Sequence, residues 1–305
     1  MHEPVMVNEV LHYLRPRRGQ VIFDGTVGTG GHAQTILEHI LPGGRLIAVD
    51  RDAAAIAEAK QRMGEMDEAV GYHCENYRDI RSILEHEGIG EVDGILLDLG
   101  LSTLQLDDPE RGFSYRMDGP LDMRMGRDSE MTAAEIINSE PEDTITNILY
   151  RYGEERWARR IAHFIIEARE RRPILTTHQL VKVVEDAVPV GARRGRKHPA
   201  RKTFQALRIA VNGELDNLKE AMPKGIECLA AAGRIVVLTY QSLEDRIVKS
   251  TFSSLAKASY NPPGEPLPSE PVIKVVTRKP VTPTMQETEM NTRSRSAKLR
   301  AAEKI

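Results

Sequence analysis

Short β-branched runs alternate with helical segments through the first hundred residues, and this alternation leaves the chain little choice of fold. Val21, Ile22 and Phe23 form a strand that runs into a glycine-rich turn, followed by a helix over 33–40. Pro42, Gly43 and Gly44 end that helix before a strand over 46–49, which stops at Asp50. A helix from 53 to about 63, a strand near 70–73 and a helix around 80–87 precede a fourth strand over 94–97, which stops at Asp98. Strand–helix–strand alternation builds parallel sheets. Strands with almost no polar residues belong to sheets covered on both faces. The expected class is therefore α/β with a Rossmann-like sheet.

After Asp98 the alternation stops. Between about 107 and 202 no strand pattern is visible, only a polar stretch rich in Asp, Arg, Met and Gly and then helices. Thr132 with Glu135, and Thr176 with Gln179, fit the capping-box spacing of helix starts. Trp157, Ile161, Phe164, Ile165 and Ala168 keep helical spacing between them, with Trp157 as the expected core anchor. The sheet pattern then resumes with a helix over 204–222, strands over 235–238 and 272–276, and a polar tail that ends basic. The expected organisation is a first α/β segment over 1–106, an inserted all-helical domain over 107–202, and a second segment of the α/β domain with a basic tail over 203–305.

The loop from Asp24 to His32 lies between a strand and a helix, where doubly wound sheets bind nucleotide-like cofactors. Alone it is weak evidence, because many such turns carry glycine only for packing. Asp50, at the end of the next strand, is placed to accept from ribose hydroxyls. NAD and S-adenosylmethionine both fit to this point, and charge separates them. A dinucleotide sets a pyrophosphate on the helix N-terminus, which Asp24 would oppose; unit charges ~4 Å apart interact by ~4 kcal/mol at an effective dielectric near 20. S-adenosylmethionine has no phosphate and carries cationic sulfonium and ammonium groups. Three strand-end acids, Asp24, Asp50 and Asp98, favour it.

Net charge is −3, so any contact with a polynucleotide must come from local clusters. Arg193, Arg194, Arg196, Lys197, Arg201 and Lys202 form one with no acid among them, and Arg293, Arg295, Lys298 and Arg300 form another in the tail. Either run reads as a solvated charged segment or, against a polynucleotide substrate, as a phosphate contact; few aromatics interleave, so it would position such a partner and not read its bases. Cys74 and Cys228, expected as buried small hydrophobes, offer neither a disulfide framework nor metal-ligand spacing. No apolar run nears the ~20 residues of a membrane span, and the N-terminus lacks the pattern of a signal peptide. A soluble protein of a reducing compartment is expected, with no metal.

The run DLGLSTLQLDDPERGFSYRMDGPLDMRM from Asp98 to Met125 closely resembles the bacterial 16S ribosomal RNA (cytosine-N4)-methyltransferase family. Segments in matching order agree: HEPVM from His2, the Gly30-Gly31-His32 loop, TFQALRIAVNGEL from Thr203, and NTRSRSAKLR from Asn291. The resemblance implies S-adenosylmethionine-dependent methylation of one cytidine amine in the decoding region of small-subunit rRNA. It places cofactor contacts on Gly30, Gly31, His32, Asp50, Tyr77, Asp98 and Gln105. Tyr77 stands where the family pattern suggests Phe, and Thr26 where glycine is frequent. Asp98 is the expected catalytic residue, as acceptor for the target amine. Met117, Met123 and Met125 could touch the base, although adaptable packing suits them better. Two other classes remain open at this level: an NAD-dependent oxidoreductase, and a non-catalytic RNA-binding assembly factor.

Overall fold

The computed structural model describes residues 4–126, 129–194, 198–257 and 270–305. They divide into two compact units, one of 1–100 with 215–305 and one of 101–214.

The first unit opens with α1 (Val7–Leu14), β1 (Val21–Asp24), α2 (Gly31–Ile40), β2 (Arg45–Val49), α3 (Ala53–Met63), β3 (Val70–His73), α4 (Ile80–His86) and β4 (Val92–Asp98). The helical unit holds α5 (Thr103–Asp107), α6 (Ala133–Ser139), α7 (Glu142–Gly153), α8 (Ala158–Arg171), α9 (Thr177–Ala187) and α10 (Arg201–Asn212). The chain then completes the first unit with α11 (Glu214–Glu227), β5 (Leu229–Thr239), α12 (Ser242–Leu255), β6 (Ile273–Val275), α13 (Met285–Met290) and β7 (Lys298–Lys304).

Among the described residues the strands form a seven-stranded sheet in the order β3-β2-β1-β4-β5-β7-β6. The strands from β3 to β5 are parallel, whereas β7 runs antiparallel to both β5 and β6. This order, with its reversed β7, is that of a Rossmann-like class I methyltransferase sheet. Successive side chains point to opposite faces of the sheet, as a pleated strand requires. Leu46, Ala48, Leu96, Val236 and Leu238 join the core beneath α2 and α3, while Ile47, Val49, Ile95, Leu97, Ile235 and Val237 join the core beneath α4 and α11. Both faces are therefore dry, which explains the unbroken apolar runs in the sequence.

The helical unit has its own core, built on residues such as Ile137, Leu149, Ile161, Leu180 and Leu207. The capping boxes form as expected at Thr132–Glu135 and Thr176–Gln179. The segment before α6 is held tightly. A Cβ on Gly112 would fall 2.1 Å from the Pro120 carbonyl oxygen, and one on Gly119 would fall 2.0 Å from that of Pro109. Asn212 donates to the Met123 carbonyl at 2.7 Å and accepts from the Met125 N–H at 2.8 Å. Met123 is fully buried at φ 64°. Much of the sequence run that carries the resemblance is thus explained by packing, with Met123 in the core and Met125 against it.

Several boundaries are corrected. The helix expected over 204–222 is two helices, broken where Gly213 takes φ 60°, and α10 belongs to the helical unit. That unit begins and ends outside the expected 107–202. The polar tail is strand β7, whose charged residues alternate with the buried Leu299 and Ala301. Cys228 is buried as expected, but Cys74 is exposed.

Candidate functional site

The carboxyl ends of β1, β4 and β5 bring chemistry-bearing side chains together. Asp24 ends β1 and is 1% exposed. Its Oδ1 accepts from the Thr26 N–H at 3.1 Å, whereas Oδ2 is buried without a hydrogen-bond partner. Burial pushes this carboxyl up to about 7, with Asp98 and Asp50 adding to the rise and His32 opposing it. Thr26 also ties β1 to β4, because its Oγ1 accepts from the Asp98 N–H at 2.6 Å. The hydroxyl at this glycine-like position therefore has a structural task.

Glycine is required where the loop is tightest. A Cβ on Gly25 would fall 2.6 Å from Leu97 Cδ2 and 2.9 Å from Tyr77 Cβ. Gly30 caps α2 at φ 81°, a left-handed conformation that side chains disfavour. Gly31 and His32 open α2. His32 is buried, and neither ring nitrogen has a hydrogen-bond partner among the described residues. Its Nε2 lies 3.5 Å from Asp98 Oδ2. Asp50 accepts from the Gly28 N–H and the Asp52 N–H, each at 2.9 Å. Desolvation nevertheless raises its carboxyl to about 6. Tyr77 begins the short turn after β3, half-buried beside Gly25.

Asp98 has a partner that the sequence reading missed. The Tyr240 hydroxyl donates to Asp98 Oδ1 at 2.8 Å. Burial, then the Asp98 charge, holds the Tyr240 hydroxyl well above its ordinary range, so it stays a donor. Glu244, in the first turn of α12, accepts from the Tyr240 N–H at 2.9 Å and fixes the backbone there. The missed signal was positional: Tyr240 directly follows β5, as Asp50 follows β2, and strand ends are where such sheets place ligands.

The other expected contacts fare differently. Gln105 lies in the helical unit, where its amide oxygen accepts from the Ser102 N–H at 3.1 Å and closes the capping box of α5. Arg196 and Lys197 lie outside the described residues, as do the side chains of Arg193 and Arg194. Arg201 and Lys202 start α10, partly exposed, and Lys202 donates to the Glu154 carbonyl at 2.5 Å. Arg293 is partly exposed and Arg295 exposed, both in the turn before β7. Lys298 pairs with Asp245 at 3.3 Å. Arg300 is a correction: it is 5% exposed and its Nε sits 2.6 Å from Asp245 Oδ1, so the strand has enclosed it where it cannot meet a phosphate.

A model of the MraW methylase family matches residues 1–305. This chain belongs to the MraW methylase family. The ribosomal RNA small subunit methyltransferase H of Heliobacterium modesticaldum is 47% identical over 100% of this chain and 98% of its own length. The protein of the same name from Heliobacterium mobile is 48% identical over 100% and 99%. That of Geotalea uraniireducens is 49% identical over 100% and 98%. Among solved structures, an rRNA methylase from Streptococcus thermophilus is 10% identical over 100% of this chain and 99% of its own, with TM-score 0.44.

Membership makes the chain a methyltransferase that uses S-adenosylmethionine, which decides against the oxidoreductase and the non-catalytic factor. The residues fit a cationic donor. Among the described residues, Asp24 Oδ2 and both His32 nitrogens are buried without hydrogen-bond partners, and Gly25 and Gly30 let the loop pack closely on Leu97, Tyr77 and Met63. Asp50 would take the ribose, Tyr77 the adenine face, and the Gly30–His32 loop the amino-acid end. When bound, the group supplies an electrophilic methyl.

Proposed function

We propose that this chain methylates the exocyclic N4 amine of one cytidine in the decoding region of 16S rRNA, in the cytoplasm, with the rRNA or the small ribosomal subunit as its partner. Whole-length similarity to proteins named ribosomal RNA small subunit methyltransferase H supports the substrate class. The observation that carries the chemistry is Asp98, whose side chain is 23% exposed, with one oxygen on Tyr240 and the other 3.5 Å from His32.

The N4 lone pair of cytosine is delocalised into the ring and attacks poorly. A carboxylate that accepts a hydrogen bond from the amine draws the nitrogen toward tetrahedral geometry and frees the lone pair. Asp98 ends β4 and accepts from the Tyr240 hydroxyl, which supports this role, since a held acceptor is the preorganisation that such electrostatic help requires. The base must be unpaired or extruded to reach it. Basic residues such as Arg201, Lys202, Arg293 and Arg295 would position the phosphates.

The deciding experiment incubates the protein and S-adenosylmethionine with unmodified small subunits and, separately, with naked 16S rRNA. The modified nucleoside is then mapped by mass spectrometry. N4-methylcytidine at one decoding-region position is expected. Methylation at carbon 5 of cytosine, at another base, or nowhere in either substrate would overturn the reading.

A further inference from the structure

The turn between α7 and α8 in the helical unit carries three arginines close in sequence, and the fold brings Lys202 to them. Arg156, Arg159 and Arg160 are exposed around the start of α8. Arg160 Nε donates to the Ala187 carbonyl at 2.5 Å, which ties this turn to the end of α9. On the other side, Lys202 Nζ reaches the Glu154 carbonyl, and a Cβ on Gly153 would fall 2.9 Å from the Lys202 oxygen. The start of α10 therefore packs directly on the end of α7. The chain leaves this corner at Ala187 and returns to it at Lys202.

The arginines here are paired with aromatic faces. Arg156 lies 5.1 Å over the Trp157 ring, and Arg160 lies 5.1 Å over Phe164. A guanidinium stacked on a ring keeps its in-plane N–H groups pointing outward, the arrangement that suits phosphate. Trp157 is only half-buried, so the expected core anchor also presents surface. Of the acids in the turn, Glu155 is buried and accepts from the Trp157 N–H, leaving Glu154 as the exposed one. In a chain of net charge −3 such a local excess is not a property of the bulk.

We propose that the α7–α8 turn, with Arg156, Trp157, Arg159 and Arg160, and the start of α10 at Lys202 form a binding surface for single-stranded RNA. Cations that follow the backbone, with arginines held on aromatic rings, are features that single-strand binders share. The inference rests on the rRNA reading above and adds to Lys202 the arginines of the α7–α8 turn, which the sequence runs did not include.

The test measures binding of a labelled single-stranded oligoribonucleotide to the full-length protein by anisotropy, from low to moderate salt. Arg156→Ser with Arg159→Ser should lower the log–log salt slope by about 1.4, from about 0.7 per phosphate contact on single strands. S-adenosylmethionine affinity by calorimetry should stay unchanged and reports an intact fold. Arg171→Ser with Arg172→Ser, exposed at the far end of α8, is the control and should leave the slope alone. An unaltered slope in the first pair, or an equal loss in both pairs, overturns the surface. Loss confined to assembled subunits, with naked RNA unaffected, would assign the turn to a ribosomal protein and also overturn it. Wild-type protein that binds neither RNA nor subunits would instead sink the rRNA reading itself.

Discussion

The Tyr240 hydroxyl donates to Asp98 Oδ1 at 2.8 Å, joining the end of β5 to the end of β4 at the proposed catalytic carboxylate. Gly100 makes room for the ring, because a Cβ there would fall 3.3 Å from Tyr240 Cδ2. If this bond aims Asp98, Tyr240→Phe should slow single-turnover methyl transfer roughly 10-fold or more, the worth of a hydrogen bond to a charged group. Affinity for S-adenosylmethionine should change little. A rate equal to wild type would show that the carboxylate is aimed without the hydroxyl.

Asp98→Asn keeps the shape and removes the charge. At saturating S-adenosylmethionine its single-turnover rate should fall ~10²–10⁴-fold while RNA binding survives. If only the Kd for the cofactor rises, Asp98 is a binding residue and the catalytic role is wrong.

Asp50 already accepts two backbone N–H groups and has lone pairs left for ribose hydroxyls. Asp50→Ala should weaken S-adenosylmethionine binding by about 1–3 kcal/mol. Calorimetry that finds wild-type affinity, with the fold intact, would remove the ribose assignment.

Asp24 predicts a pH dependence with a definite sign. Its carboxyl is raised from 3.8 to about 7, so between those values the unfolded chain has lost a proton that the native state keeps. Stability without cofactor should therefore fall as pH rises through that window, by up to about 4 kcal/mol. A bound cation favours the ionised carboxylate, so cofactor affinity should rise with pH and level off above about 7. Asp24→Asn should make both curves shallower, most clearly between about 6 and 7, above the range where Asp50 titrates, as measured by urea midpoints and by calorimetry across pH. Curves parallel to wild type would show that another group titrates.

Arg300 and Asp245 test the correction to the basic tail. Breaking a buried pair strands the remaining charge and costs ~3–5 kcal/mol. Asp245 keeps Lys298, so Arg300→Ala should fall at the lower end of that range, without changing the salt slope of RNA binding. A flatter slope in a stably folded variant would return Arg300 to the RNA.

The parallel half of the sheet was legible because its strands are buried on both faces, so runs such as Ile95 to Leu97 carry no polar residue to blur them. The acids that end those strands were legible too, since a strand that stops at a carboxylate marks its own terminus. Strand β7 was not: Lys298, Arg300 and Glu303 make it read as a solvated tail, and only Asp245 and Arg234 show why those charges can be enclosed. Gly213 likewise looked like one glycine within a long helix, until its left-handed φ split α10 from α11.

By itself the sequence determined local periodicity, helix caps, the glycine turn and the family pattern, all of which depend on neighbours along the chain. Tertiary structure decided which charges are paired and which stay exposed. The Tyr240–Asp98 bond spans 142 positions and the Lys202–Glu154 contact 48, and no local pattern encodes separations of that size. A side chain's charge is written in the chain, but its partner and its solvent are set only when distant strands and helices close around it.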